Sequence, residues 1–274
     1  MAQPLDQLGA VLTDMGPVVV AFSGGSDSAF LARVAVDVLG PGRARCVTAV
    51  SPSLAAEELE GCRSLADAWG LEWATVATDE LDRVAYVANG PDRCAHCKTS
   101  LMDALAPQAE ALGATVVLGV NLDDLGDHRP GQAAAAKAGA RFPLVEAGFT
   151  KAMVREASRG LGLVTWDKPA GACLASRIPY GVPVTVGALG SVQRAESALR
   201  RLGLRQLRVR HHGDVARVEV GPTELEEAFR LREEVATAVR SAGYAYVALD
   251  LDGFRSGSLN EVLGAEVLRH EVTG

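Results

Sequence analysis

Along the first half of the chain, short apolar runs alternate with longer stretches whose apolar positions recur every three or four residues. PVVVAF leads into SAFLARVAVDVLG, RCVTAVS into LAAEELEGCRSLADAWG, and EWATVAT into the segment through LMDALAPQAEALG, after which comes TVVLGV. Strand followed by helix, repeated, predicts βαβ units and a parallel sheet. PVVVAF and TVVLGV are apolar at nearly every position, as strands covered on both faces are, so both are expected at the centre of that sheet. The tract AAAAKAGA reads as a helix of small residues. From about Ile178 the rhythm changes: an amphipathic helix near GALGSVQRAESALRRLG, then RQLRVRHHG, DVARVEV, a second helix in TELEEAFRLREEVATAVRSAG, and YAYVALDLDGF. This order predicts a smaller α+β domain, residues 178–274, with a mixed or antiparallel sheet. It follows an α/β domain, residues 1–177, and the Pro/Gly-rich stretch KPAGACLASRIPYGVP joins the two.

Where the first strand meets its helix the sequence reads AFSGGSDS, residues 21–28. A glycine-rich turn at such a junction directs backbone N–H groups into a concavity, and the helix N-terminus adds partial positive charge. The ligand such a turn holds is an anion, usually phosphate. The lysine of GxxxxGK[ST] is missing between Ser23 and Ser28, and there is no GxGxxG, so neither of those nucleotide loops is present. A plain capped turn needs one hydroxyl or carboxylate; this one carries Ser23, Ser26, Asp27 and Ser28 beside Gly24 and Gly25.

With 274 residues, 48% of them hydrophobic, the chain is long enough for one large or two ordinary cores. Its 27 basic and 34 acidic residues give a net charge of -7, which argues against a surface made to attract nucleic acid or anionic lipid. The opening MAQPLDQLGAVLTDMG has no basic segment followed by a long apolar one, and no window reaches the ~18 apolar residues of a membrane span. A cytoplasmic location is therefore expected.

Five cysteines are too few and too unevenly spaced for a disulfide framework. Cys94 and Cys97 lie at i and i+3 on one helix face in PDRCAHCK, and Cys173 lies in the connector as GACLASR. CxxC by itself is compatible with zinc, an iron-sulfur cluster, dithiol redox chemistry or core packing. Three cysteines and one open position suit a 4Fe-4S cluster, whereas structural zinc asks for a fourth ligand, for which His96 is available. Cys46, in a strand, and Cys62, on a helix face, read as small buried hydrophobes.

In LRVRHHG, strand alternation puts Arg208 and Arg210 on one face, where two guanidiniums can grip a phosphate; a solvated face or an intersubunit ion pair is the competing reading. His211 and His212, beside a turn and outside any metal spacing, read as surface structure. Asp127, His128 and Arg129 follow TVVLGV, where loops of such sheets face the ligand.

SGGxDS after an apolar strand resembles the loop of the PP-loop ATP-pyrophosphatase superfamily. The resemblance implies that Ser23, Gly24, Gly25, Ser26 and Ser28 cradle the pyrophosphate of ATP while Asp27 helps hold Mg²⁺. Taken together, AFSGGSDS, NGPDRCAHCK, DHRPG, ACLASRIPYG, RVRHHGDVARVEV and LDGFRSGSLN resemble the LarE family across nearly the whole chain. These ATP-dependent sulfur transferases build the nickel-pincer nucleotide cofactor of lactate racemase.

The resemblance implies adenylation of the carboxylates of pyridinium-3,5-biscarboxylic acid mononucleotide and their conversion to thiocarboxylates. It implies that Arg255 joins Arg208 and Arg210 at the substrate phosphate, and that Glu196 and Glu227 occupy acidic active-site positions. Two sulfur sources occur in the family: one sacrifices the cysteine matched here by Cys173, and the other uses three cysteines and a 4Fe-4S cluster. The presence of Cys94 and Cys97 favours the cluster. A homo-oligomer, a hexamer by resemblance, is expected, with no nucleic-acid or membrane partner; the donor that replenishes sulfur is not legible. The competing functions are a tRNA-thiolating enzyme, which wants a basic face, an amide-forming synthetase, which leaves the three cysteines idle, and a nucleotide-binding regulator without catalysis.

Overall fold

The computed structural model describes residues 2–126, 130–169 and 171–255. The chain divides into two compact units, Met1–Arg83 with Asp92–Gly171, and Val84–Pro91 with the chain from Ala172 onward. Asp127, His128 and Arg129 lie outside the described residues.

The first unit runs α1 (Ala2–Met15), β1 (Val18–Ala21), α2 (Ser26–Leu39), β2 (Ala44–Val50), α3 (Ala56–Trp69) and β3 (Trp73–Ala77). After α4 (Val84–Val87), which belongs to the second unit, it continues with α5 (Arg93–Leu112), β4 (Thr115–Leu118), α6 (Pro130–Lys137), α7 (Pro143–Glu146) and α8 (Lys151–Gly160). The four strands are parallel in the order β3-β2-β1-β4, with Val20 opposite both Cys46 and Val117. PVVVAF is central, as its pattern requires. Val18 and Val20 enter the core formed with Leu8, Leu12, Phe30 and Phe149, while Val19 enters the opposite core with Leu101, Leu105 and Val116. Period-2 alternation with both faces covered is why no position of the strand is polar. TVVLGV forms β4 at the edge of this sheet, beside β1, and still buries Val116, Val117 and Leu118. Helix α1 was not evident as an element from the strand-helix rhythm, yet Leu5, Leu8, Leu12 and Met15 recur at helical spacing and pack on the first core.

In the second unit, α9 (Val186–Arg201) precedes β5 (Leu207–His212) and β6 (Val215–Val220), and α10 (Leu225–Arg230) and α11 (Arg232–Ser241) precede β7 (Tyr246–Leu249). The sheet is mixed: β5 and β6 pair antiparallel, and β6 and β7 pair parallel. Gly213, at φ 64°, supplies the left-handed step of the two-residue β5–β6 turn. The pattern in TELEEAFRLREEVATAVRSAG predicts one helix, but two form. Leu231 leaves helical torsions at φ -90°, ψ 19°, while its carbonyl accepts from Val235 N–H at 2.8 Å to start α11. No glycine or proline marks that break. Leu199, Leu207, Val209, Val218, Val235 and Val239 make the core of this unit. Among the described residues no helix is long and apolar enough to cross a membrane.

Asn89 fixes the start of this second core. It is fully buried at φ 57°, and its Nδ2 donates to the carbonyls of Ile178 (3.3 Å), Pro179 (2.7 Å) and Val182 (2.8 Å). Asn89→Ala both removes these donors and puts a Cβ residue without a local hydrogen-bonding side chain in the left-handed region. A loss of about 2–4 kcal/mol is expected, read as a lower midpoint of urea unfolding.

Candidate functional site

The junction after β1 is built to leave amide donors open. Phe22 N–H still bonds Val47 O at 2.8 Å, and the chain then turns through Gly24 at φ 65°. A Cβ at Gly24 would stand 3.0 Å from Cys62 Sγ. Ser28 Oγ accepts from Ser23 N–H at 3.3 Å, shares a 3.0 Å hydrogen bond with Ser23 Oγ and donates to Gly25 O at 3.2 Å. The two hydroxyls therefore brace the loop. Ala29 N–H, bonded to Gly25 O at 2.9 Å, is the first amide of α2 with a helical acceptor, which leaves those of Ser26, Asp27 and Ser28 as the orphan donors of the helix start. Gly25, the N-cap, offers no side chain to them. Beneath them passes Gly119, whose Cβ would lie 2.7 Å from Ser28 N, so only glycine fits.

Charged side chains surround this loop. Lys151 Nζ sits 2.5 Å from Asp27 Oδ2 and 2.7 Å from Ser26 Oγ, and Asn121 Nδ2 donates to Asp27 Oδ1 at 3.3 Å. Lys168 Nζ donates to Gly24 O at 3.1 Å and to Glu58 Oε2 at 2.8 Å. The turn after β4 supports this ring: Asp123 Oδ2 accepts from Lys151 N–H at 2.7 Å, and Asn121 Oδ1 accepts from Asp123 N–H at 3.0 Å. Lys151 is the first residue of α8, whose cap Thr150 accepts from Met153 N–H at 3.3 Å. An ammonium placed between a carboxylate and a hydroxyl occupies a position that suits a hard cation, and those oxygens are Mg²⁺ donors.

Sequence reasoning named Ser23 to Ser28 and missed Asn121, Lys151, Lys168 and Glu58. Asn121 was findable in principle, because it follows a parallel strand at the carboxyl edge where sites gather. Lys151 and Lys168 stand in no sequence spacing with the loop.

Cys94 and Cys97 lie in the first turn of α5, Cys94 exposed and Cys97 half-buried; Cys173 is exposed in the second unit. Gly131 of α6 packs against that turn so closely that a Cβ would lie 2.8 Å from Cys94 O. His96 Nε2 is 3.0 Å from Asp92 Oδ2. Among the described residues, no group of three or more His, Cys, Asp or Glu is gathered for a metal ion. Cys46 and Cys62 are buried, and burial raises both thiols, that of Cys46 to about 12.

The second unit holds an arginine-rich network. Glu196, buried, accepts from Arg177 Nε at 2.8 Å and Nη2 at 3.1 Å, from Arg200 Nη2 at 2.9 Å and from Val209 N–H at 3.1 Å. Glu219, also buried, accepts from Arg210 Nε at 2.9 Å and Nη2 at 2.7 Å, and Arg217 bridges it to Asp250. Arg208, two positions from Arg210 and on the same face of β5, lies 5.0 Å over the Phe254 ring. Burial first, then the charge of Arg177, lowers its pKa to about 10. Among the described residues, Arg177 and Arg200 pair with Glu196, Arg210 and Arg217 pair with Glu219, and Arg217 also pairs with Asp250. Glu227 is exposed on α10 and pairs with Arg230 at 2.5 Å; Arg255 is exposed, 3.9 Å from Asp252.

A family model described as NAD synthase matches residues 9–99. The chain is 38% identical over 255 residues, 93% of this chain and 92% of the relative, to the pyridinium-3,5-bisthiocarboxylic acid mononucleotide synthase of Lactiplantibacillus plantarum. It is 46% identical to an uncharacterized protein of Synechocystis sp., covering 94% of this chain and 97% of that one. An uncharacterized protein of Methanocaldococcus jannaschii is 24% identical over 87% of this chain and 91% of its own.

Burial raises the Glu196 carboxyl, but the hydrogen bonds and charge of Arg177 outweigh it, and the net shift is downward from 4.5. A depressed folded-state value contributes stability that is present above the unfolded value and is lost as pH falls through the folded one. Stability should therefore drop as pH falls below about 4.5. In Glu196→Gln that part of the slope should vanish, and stability at neutral pH should already be lower by about 3–5 kcal/mol because two arginines lose their counter-charge. Thermal unfolding of both proteins across this pH range checks both expectations.

Proposed function

Because the chain belongs to the LarE family of PP-loop ATP pyrophosphatases, we propose that it adenylates the carboxylates of pyridinium-3,5-biscarboxylic acid mononucleotide and replaces an oxygen of each with sulfur. The observation that carries this reading is the set of open amides at the start of α2, ringed by Asp27, Lys151 and Asn121. They form a polyanion cradle at the carboxyl edge of a parallel sheet.

The amides of Ser26, Asp27 and Ser28, together with the brace of Ser23 and Ser28, bind and orient the leaving pyrophosphate. Asp27 is the residue that would hold Mg²⁺, which when bound neutralises phosphate charge. Lys151, whose ammonium lies beside Asp27 and Ser26 at the mouth of the loop, would pair with phosphate oxygens. A substrate carboxylate oxygen attacks the α-phosphorus, the bond to the β-phosphate bridge breaks, and pyrophosphate leaves with the electron pair. A sulfur nucleophile then adds to the acyl carbon, AMP departs, and a thiocarboxylate remains. Arg208 and Arg210, two guanidiniums on one face of β5, suit the phosphate of the mononucleotide, with Arg255 as a further contact. Glu196 serves this site by fixing Arg177 and Arg200; Glu227 has the exposure for a reactive role.

For the sulfur source, Cys94, Cys97 and Cys173 are the residues that would hold a 4Fe-4S cluster. Thiolates are the donors such clusters take, and three of them leave one iron open to sulfide. The alternative is Cys173 alone as a sacrificial donor.

Pyrophosphate release from ATP should depend on the mononucleotide. Asp27→Ala should reduce it by two orders of magnitude or more with an unchanged circular dichroism spectrum; release at the parent rate removes Asp27 from the reaction. Anaerobically purified protein should carry about four irons and sulfides per chain, lost in Cys94→Ala and in Cys97→Ala. Iron-free protein whose Cys173 becomes dehydroalanine after one turnover would assign the sacrificial route instead.

A further inference from the structure

Of the carbonyls inside the loop, that of Gly25 is tied into the helix by Ala29 N–H at 2.9 Å and Ser28 Oγ at 3.2 Å. The Gly24 carbonyl is held from outside, by Lys168 Nζ at 3.1 Å. A trans peptide unit is planar, so its C=O and N–H point in opposite directions. Fixing the oxygen of Gly24 therefore fixes the direction of the Gly25 N–H. This peptide unit joins two glycines and so has the least steric resistance in the loop to rotating over. Turned over, it would present a carbonyl oxygen where an amide hydrogen is needed.

Lys168 is itself held at its backbone and at its ammonium. Two successive turns, Trp166 N–H to Leu163 O and Lys168 N–H to Thr165 O, both 3.2 Å, fix the approach of its backbone. Pro169 then restricts Lys168 to extended torsions. Its ammonium is held by Glu58 Oε2 at 2.8 Å, from the first turn of α3. One helical turn further along α3, Cys62 Sγ occupies the space that a Cβ at Gly24 would need.

We propose that Lys168 is a positioning residue for pyrophosphate: by holding the Gly24 carbonyl outward, with Glu58 as its anchor, it keeps the Gly25 N–H aimed at the phosphates. This rests on the reading of the loop as the pyrophosphate cradle. Lys168 touches no reacting atom, so its effect is confined to ligands that fill the loop.

The test is titration calorimetry of the full chain with inorganic pyrophosphate plus Mg²⁺ and, separately, with AMP, which lacks the β- and γ-phosphates. Lys168→Met should weaken pyrophosphate binding tenfold or more and leave AMP within twofold; Lys168→Arg, which restores a long cationic donor, should recover most of the loss. Should Lys168→Met fail to fold, Lys168→Gln is expected to change the two affinities in the same directions. Pyrophosphate affinity within twofold of the parent in a folded Met or Gln variant overturns this role alone. Equal weakening of pyrophosphate and AMP overturns it as well, because a general structural defect would act on both. A parent protein that binds no pyrophosphate removes the cradle reading and this inference with it.

Discussion

The start of a buried helix without a cap is the constraint on which the first unit turns. Ser26 and Ser28 are 4% and 6% exposed, and the N-cap is a glycine with nothing to offer the first amides of α2. Buried donors without acceptors are costly, by about 1–3 kcal/mol each. Among the described residues, the neighbours do not cap these amides. They press close to the loop, as Gly119 does, or hold its carbonyls and carboxylate from outside, as Lys168 and Lys151 do. A loop with the Gly24 and Gly25 carbonyls engaged and the first amides of the helix left without a helical acceptor suits an anion, and a helix dipole favours one carrying high charge.

The second unit solves a related problem with different chemistry. Its positive charge is carried by side chains, and most of that charge is already spent in buried pairs with Glu196 and Glu219. Pairs of this kind are poor sources of stability, since desolvation offsets attraction, but they set guanidinium planes in fixed orientations. Burial first, then the charge of Arg177, lowers the Arg208 pKa to about 10 against the opposing attraction of Glu196.

How far the sequence disclosed these arrangements depended on range. The strands and the loop were legible because their signals are local: apolar residues at every position of β1, then glycines and hydroxyls within eight residues. The shared face of Arg208 and Arg210 was legible for the same reason, through alternation along β5. Their partners were not. Register places Glu219 directly opposite Arg208, yet its carboxylate reaches diagonally to Arg210, a choice made by side-chain packing that no pattern along one strand records. Lys151 and Lys168 meet the loop across long stretches of chain, so they appear in sequence as a surface lysine after a helix cap and another before a proline. The division at Leu231 is likewise silent, because the residues on either side keep one apolar face whether the helix continues or not.

The five cysteines separate on physical grounds that bear on sulfur transfer. Cys46 lies within β2, where desolvation holds its thiol protonated up to about 12, and Cys62 is sealed beneath the loop against Gly24. A protonated, inaccessible sulfur neither binds iron nor attacks an acyl carbon. Cys94 and Cys173 are exposed and Cys97 is half-buried. The first turn of α5 is clamped by Gly131 at a distance that admits no side chain, and the Cys173 carbonyl accepts from Ser176 Oγ at 2.7 Å and Arg177 Nη1 at 2.9 Å. Arg177 in turn is locked by Glu196. The same buried carboxylate that orders the guanidinium network therefore also fixes the backbone that carries Cys173.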